Sequence, residues 1–412
     1  MKKRIGITGI GVVSPLGLTV QENWKRICRN ESAIEDCHFA GYEAFPHCRC
    51  GAIKNFDPTQ HIANRRLLKL MNRESQLAFV AADQALKDSG IAHNYTPDRI
   101  GLYLGTGLTS GDMENLIPIV ENAIDEDGQF SYSLLGTKAL AKCNPLLSFK
   151  ILPNMALSYI SIEQNIQGPN MVFNPWSGNT AQAIMEAKRA IEYGEIDCAL
   201  VGGCDSKCNY IGFLTFSQMG LLSHKGVISP FSSESDGLVL GEGSAFLVLE
   251  SLENASKRSG HIYAELCGGV SGSDPFSEQI YSYNTFILEE VMSQTFSDAE
   301  IQKEEIDAVC VSANSNPIGD GIELDVLKDN FQNHDPMMIS LNPYTGDLIA
   351  ASSIYALVLC AYSFHQKEIL PSLNTIEYGN KNQSLKITTI LVNSFSIGST
   401  KASMIVRKYL SN

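Results

Sequence analysis

The 412-residue chain is short of positive charge. Its 31 lysines and arginines face 45 aspartates and glutamates, a formal net charge of −14. That balance argues against anionic partners, nucleic acid and acidic membrane surfaces alike. In itself it says little more than that the surface is soluble. No stretch approaches the ~18 consecutive apolar residues of a membrane-spanning helix. The most apolar segment, Ile349 to Phe364, is short and rich in Ala and Ser, and reads as a buried core helix. The opening MKKRIGITGIGVV has the basic start and apolar run of a signal peptide. However, Gly6, Gly9 and Gly11 interrupt it, Pro15 follows, and no small-residue cleavage site closes it. It reads as a buried first strand.

Cysteine motifs are also missing. The 11 cysteines are scattered, with only Cys48/Cys50 and Cys204/Cys208 close in sequence. Neither pair has a matching second pair or a histidine at ligand spacing, so neither a metal nor a cofactor is expected. An odd cysteine count without a leader fits a reducing cytoplasm. There is no low-complexity segment and no long linker.

What remains is a globular composition, 44% hydrophobic and 18% charged, in a chain long enough for two fused halves with a large core. Arg4 to Gly11, Ile100 to Leu104, Met171 to Phe173, Cys198 to Val201 and Ser244 to Leu249 read as strands. Glu74 to Ser89 and Gly178 to Tyr193 read as helices. The second half repeats the grammar. Strands are expected at Ala264 to Val270, Ala308 to Val311, Met338 to Leu341, Thr388 to Val392 and Ala402 to Arg407. Helices are expected over Phe286 to Phe296, from Asp320 onward, and over Leu348 to Phe364. Alternating strands and helices indicate an α/β fold. The half boundary is placed near Leu252 to Ser259, giving halves of 1–252 and 253–412.

Six motifs in order give the chain a family likeness. Gly168-Pro169-Asn170 precedes a strand and a helix start. Glu192 to Asp197 is followed by Val201-Gly202-Gly203. Ser229-Pro230-Phe231 precedes Asp236-Gly237-Leu238-Val239-Leu240-Gly241-Glu242-Gly243. Pro317-Ile318-Gly319-Asp320, Thr345-Gly346 and Phe395-Ser396-Ile397-Gly398-Ser399 complete the set. Together they resemble the β-ketoacyl-acyl-carrier-protein synthases. The likeness implies a thiolase-like layered α-β-α-β-α fold built from two similar halves.

The catalytic positions depart from that pattern. The family's nucleophilic Cys falls on Ser177, its first His on Ser312, its Lys on Asn342 and its second His on Asp347. Its Arg falls on Ser235 and its gating Phe on Ile397. A condensing enzyme needs a thiolate, which a helix N-terminus stabilises. A Ser hydroxyl in that place stays protonated unless a base takes its proton. The two His would supply the donors for decarboxylation and enolate stabilisation, and a carboxylate there opposes the developing charge. None of the eight histidines (38, 47, 61, 93, 224, 261, 334, 365) lies in these motifs. No catalytic residue is therefore expected. The plain roles are a helix N-cap for Ser177, a small filler for Ser312 and a cap for Asp347.

The resemblance then implies a non-condensing chain-length factor, paired as a heterodimer with an active ketosynthase in type II polyketide or fatty-acid-like synthesis. Acyl carrier protein would be met mainly through the partner. Relatives in aromatic polyketide systems carry Gln where this chain has Ser177, which points to a more divergent branch, with aryl polyene assembly named first. The implied tunnel wall comprises Leu108, Thr109, Asp112, Met113, Leu116 and Ile397. Met113 and Leu116 read equally well as plain core. Two alternatives stay open: a Ser177-dependent acyltransferase or hydrolase, and a stand-alone acyl-binding protein. Ser177→Cys alone is expected not to restore condensation, since positions 312 and 347 still lack imidazoles. Carbon–carbon bond formation by that variant from malonyl- and acyl-carrier protein would show those two positions to be misassigned.

Overall fold

A computed structural model describes residues 2–45, 47–108, 113–274, 285–366, 370–371, 386–395 and 397–410. Twelve strands are present among them. They are β1 (Ile5–Val13), β2 (Glu35–Asp36), β3 (Arg49–Cys50), β4 (Ile100–Thr106), β5 (Asn170–Phe173), β6 (Cys198–Ser206), β7 (Glu242–Ser251), β8 (Ala264–Ser273), β9 (Ala308–Cys310), β10 (Met337–Ile339), β11 (Thr389–Ser394) and β12 (Thr400–Arg407). The helices that matter most here are α1 (Arg73–Ser89), α2 (Met113–Ala123), α3 (Ser177–Glu192), α4 (Thr285–Ala299), α5 (Pro317–Asn330) and α6 (Ser352–Ser363).

Ten strands run in the order β10-β9-β11-β12-β8-β1-β7-β6-β4-β5, and β2 and β3 form a separate hairpin. Outward from β1, the pairings are antiparallel to β7, antiparallel to β6, then parallel to β4 and β5. Outward from β8 the same sequence recurs through β12, β11, β9 and β10. The two halves thus share one pairing plan, as the repeated grammar of the sequence implies. β1 and β8 join them antiparallel.

Local signals set the helix ends. Asn72 caps α1, its side chain accepting the Ser75 N–H at 2.8 Å, and Gly90 ends it in the left-handed region at φ 66. α5 starts three residues before the expected Asp320, because Pro317 is pre-shaped for a first turn and Asn316 accepts the N–H groups of Ile318 and Gly319. Most observed strands extend a few residues beyond the apolar runs that predicted them, as hydrogen-bonded ladders do not stop where hydrophobicity does.

Three apolar clusters make the layers. α1 packs on one outer face, against β1, β4, β6 and β7. α4 and α5 pack on the other, against β9, β11 and β12. α3 and α6 lie between the half-sheets in the central cluster. Central helices of this kind require small residues. A Cβ on Gly178 would sit 2.1 Å from the Thr400 carbonyl oxygen, and one on Gly105 would sit 1.8 Å from Thr180 Oγ1. Gly178→Ala should therefore lift the N-terminus of α3 off β12 and cost about 2 kcal/mol or more. Gly321→Ala, inside α5 with nothing within 4 Å of the new Cβ, should stabilise by up to ~1 kcal/mol. Urea denaturation of the two variants checks these opposite signs.

Candidate functional site

The four positions aligned with catalytic residues come together. Ser177, Ser312, Asn342 and Asp347 line one cavity of about 20 Å³, with Ser353, Asn393 and Ser394 among their neighbours. Ser177 is the first residue of α3, and Trp176 is the cap, so the expected N-cap role moves back by one residue. The Ser177 Oγ lies 3.0 Å from Ser394 Oγ on β11, and its carbonyl accepts Ser353 Oγ at 2.9 Å from α6. In that contact Ser394 donates and Ser177 accepts. No histidine is among the residues lining the cavity. His334 and His365 set their Nε2 atoms against the backbone carbonyls of Ile306 and Tyr263 instead.

Asp347 is buried and fully engaged. Its Oδ1 accepts the Ile349 N–H and Ser352 Oγ, each at 2.8 Å, and its Oδ2 accepts Asn314 Nδ2 at 2.6 Å. Ile349 has φ 50, an unusual conformation for a β-branched residue. The Asp347 carboxylate anchors that turn, whereas α6 itself follows Ala351 with no side-chain cap, so Asp347 holds the turn before the helix rather than capping it. The Ser312 N–H donates to Glu323 Oε1 at 3.0 Å. Asn342 spends its amide on the carbonyls of Ser312 and Ala313.

A second carboxylate shapes the loop before α5. Asp320 accepts the N–H groups of Asn314 (3.0 Å), Ser315 (3.1 Å) and Phe231 (3.1 Å). Ser315 and Phe231 both sit at positive φ, 73 and 60. Burial lifts the Asp320 carboxyl to about 6, against these three donors.

Four of the six expected tunnel residues lie among the described residues. Leu108, Met113 and Leu116 are half-buried, so the plain-core alternative for Met113 and Leu116 is only half met. Thr109 and Asp112 lie outside the described residues, as does Ser396. Ile397 is buried with Phe213, Phe216 and Ile349. Beside Leu108, Gly107 faces a buried ionic group. A Gly107 Cβ would lie 1.8 Å from Asp205 Oδ2, and Lys207 Nζ is 2.6 Å from Asp205 Oδ1. Burial pushes the nearby Glu74 carboxyl up to about 7, against the Lys207 ammonium.

Sequence reading missed this group, and it missed Lys401. That lysine is buried on β12, and its Nζ donates to Gly398 O at 2.7 Å and Phe395 O at 3.3 Å, tying the turn that carries Ile397. Burial lowers its pKa to about 7, against Asp274 and Glu323. A lone lysine inside the strand Thr400–Arg407 was the available signal.

The β-ketoacyl synthase N-terminal domain matches residues 2–255, and the β-ketoacyl synthase C-terminal domain matches residues 263–375. The chain belongs to the β-ketoacyl synthase family. This ketosynthase relative is 27% identical over 423 residues to 3-oxoacyl-[acyl-carrier-protein] synthase 2 of Staphylococcus aureus (strain COL), covering 99% of each. It is 28% identical over 432 residues to the synthase 2 of Coxiella burnetii (strain RSA 493 / Nine Mile phase I), again covering 99% of each. Among solved structures it is similar to the ishigamide ketosynthase/chain length factor, with a TM-score of 0.85 and 23% identity over the whole of both chains. It is also similar to a type II polyketide ketosynthase in complex with its acyl-carrier protein, with a TM-score of 0.82 and 21% identity over 99% of this chain and 100% of that one. At such identity these likenesses speak to the fold, which is the thiolase-like one. No helix among the described residues is long and apolar enough to cross a membrane.

Glu323 gives the site a pH signature. Burial lifts its carboxyl from 4.5 to about 7. Between those values the folded ketosynthase-like chain binds a proton that the unfolded chain has released, so this group's contribution to stability falls as pH rises. Glu323→Gln removes that term. Relative to the original chain, the variant should gain stability from pH 4.5 to pH 7, by something on the order of 3 kcal/mol at about 1.4 kcal/mol per pKa unit. Denaturation midpoints of both proteins across that window test it. A constant difference would mean that Glu323 ionises like an exposed carboxyl.

Proposed function

We propose that this chain is the non-condensing subunit of a ketosynthase pair, a chain-length factor that shapes the product made by an active partner. The observation that carries the reading is the small cavity. It holds Ser177, Ser312, Asn342 and Asp347 where condensation needs a thiolate and two imidazoles, and its volume of about 20 Å³ admits about one water rather than an acyl chain. Asp347 already accepts three hydrogen bonds, and no histidine lines the cavity beside Ser177. That arrangement gives the alternative of a Ser177 hydrolase or acyltransferase no base. The same small volume disfavours a stand-alone acyl-binding protein.

A partner is supported from outside the cavity. β5 ends the sheet, with Asn170 and Met171 exposed. An uncovered edge strand is a template for pairing with another chain. Around it in the sequence, Val120, Phe130, Tyr132, Leu140 and Ile162 are large apolar side chains left exposed, and apolar exposure on this scale marks an interaction surface. The occupant we infer is an active ketosynthase with a Cys-His-His site, and carrier protein docks mainly on that subunit. The halves 1–252 and 253–412 serve as one scaffold. Leu108, Met113 and Leu116 stand as the tunnel-end residues, and an aryl polyene chain as the product class.

Co-expression with a Cys-His-His ketosynthase should give a heterodimer by size exclusion. Acyl-carrier protein should leave no adduct on Ser177 by intact mass. A stoichiometric adduct lost in Ser177→Ala would sink the reading in favour of the acyltransferase. In the verified heterodimer, Met113→Trp or Leu116→Trp should shorten the product, and the Ala variants should lengthen it or broaden its distribution. A product profile unmoved in both directions would remove those residues from the tunnel.

A further inference from the structure

Four of the scattered cysteines come together in space. In the β2–β3 hairpin Glu35 faces Cys50 and Asp36 faces Arg49. One step further on, the Cys37 N–H donates to the Cys48 carbonyl at 2.9 Å. Side chains alternate along a strand, so Cys37, Cys48 and Cys50 share one face. That face turns inward. Cys37 is 1% exposed and Cys50 4%, packed in the cluster that also holds Phe213, Phe216, Trp176 and Ile397. Cys208 reaches the same place from the segment after β6, with its Sγ 3.4 Å from Gly51 O. The two sequence pairs that lacked partners, Cys48/Cys50 and Cys204/Cys208, thus each send a member to one cluster.

The arrangement suits sulfur chemistry more than metal binding. Among the described residues no three His, Cys, Asp or Glu side chains are placed to hold a metal ion. Instead two sulfurs approach closely: Cys37 Sγ donates to Cys50 Sγ at 3.1 Å, about 1 Å longer than a disulfide bond.

We propose that Cys37 and Cys50 form a reversible dithiol–disulfide site oxidised by hydrogen peroxide. Within the cluster the Cys50 thiol is the one that ionises. Hydrogen bonds from Cys208 and Cys37 draw it down to about 5, while the bond to Cys50 pushes Cys37 up. A thiolate with a neighbouring thiol in reach is the arrangement of redox-sensing cysteines. Burial selects a small oxidant over a bulky disulfide.

The Cys50 thiolate attacks one peroxide oxygen, the O–O bond breaks, and hydroxide leaves to take up the proton that Cys50 had released. Cys50 is then a sulfenic acid. The Cys37 sulfur attacks the Cys50 sulfur, the S–S bond forms, the S–O bond breaks, and water leaves with the Cys37 proton. Two thiols lose two electrons and two protons, and one peroxide becomes two waters. A dithiol reductant reverses the result by exchange through a mixed disulfide.

The test uses the full chain, reduced, desalted and treated with hydrogen peroxide. It is then alkylated in denaturant, digested and analysed by mass spectrometry. The expected product is a cross-linked peptide pair joining Cys37 to Cys50, lighter by two hydrogens and lost on treatment with dithiothreitol. Cys48→Ser should keep the link, and Cys50→Ser should abolish it and leave Cys37 alkylated. Full alkylation of Cys37 and Cys50 at a peroxide dose that oxidises Cys143 would overturn the proposal. So would a link formed only between other pairs, such as Cys310 and Cys360. The wild-type result decides the matter even if a variant does not fold.

Discussion

Two helices enclosed between half-sheets impose the rule that the rest of the molecule obeys. α3 and α6 start in the interior, away from bulk water, so their first N–H groups and the carbonyls that face them must be satisfied within the fold. Backbone must approach backbone, so Gly178 lies against the Thr400 carbonyl and Gly203 near that of Ala350. Side-chain polarity must be used up locally. Thr180 Oγ1 donates to Ala350 O at 2.6 Å, Ser353 donates to Ser177 O, and Asp347 gathers three donors.

The same rule explains the chemistry of the cavity. In a buried network every hydroxyl or carboxylate that is satisfied is also occupied. Ser177, Asn342 and Asp347 spend their hydrogen-bonding capacity on holding helices and loops in place, as Asp320 does for the two positive-φ residues near it. A nucleophile or base must instead keep one lone pair aimed at a substrate. The groups at the centre of the scaffold hold its helices and loops in place.

The fold was legible because its signals are local and repeated. Apolar runs gave the strands, and the six ordered motifs gave the architecture. The positions of Ser177, Ser312, Asn342 and Asp347 could be counted from glycines fixed by backbone geometry, and the structure brings all four to one cavity. The misses share a cause. Lys207, Glu74 and Asp205 meet through β6 and α1, and Cys37, Cys50 and Cys208 meet across a hairpin and a crossover. No periodicity within a segment carries such contacts.

The bare edge of β5 has a bearing on how the protein is made. Hydrogen-bonding groups along an exposed strand, set among apolar side chains, pair with whatever strand arrives first. During synthesis that is as readily a misfolded neighbour as a proper cover. On the pairing we propose, any fraction of the chain produced ahead of its covering subunit is the fraction at risk, and the safe cellular level of the protein would follow the supply of that cover.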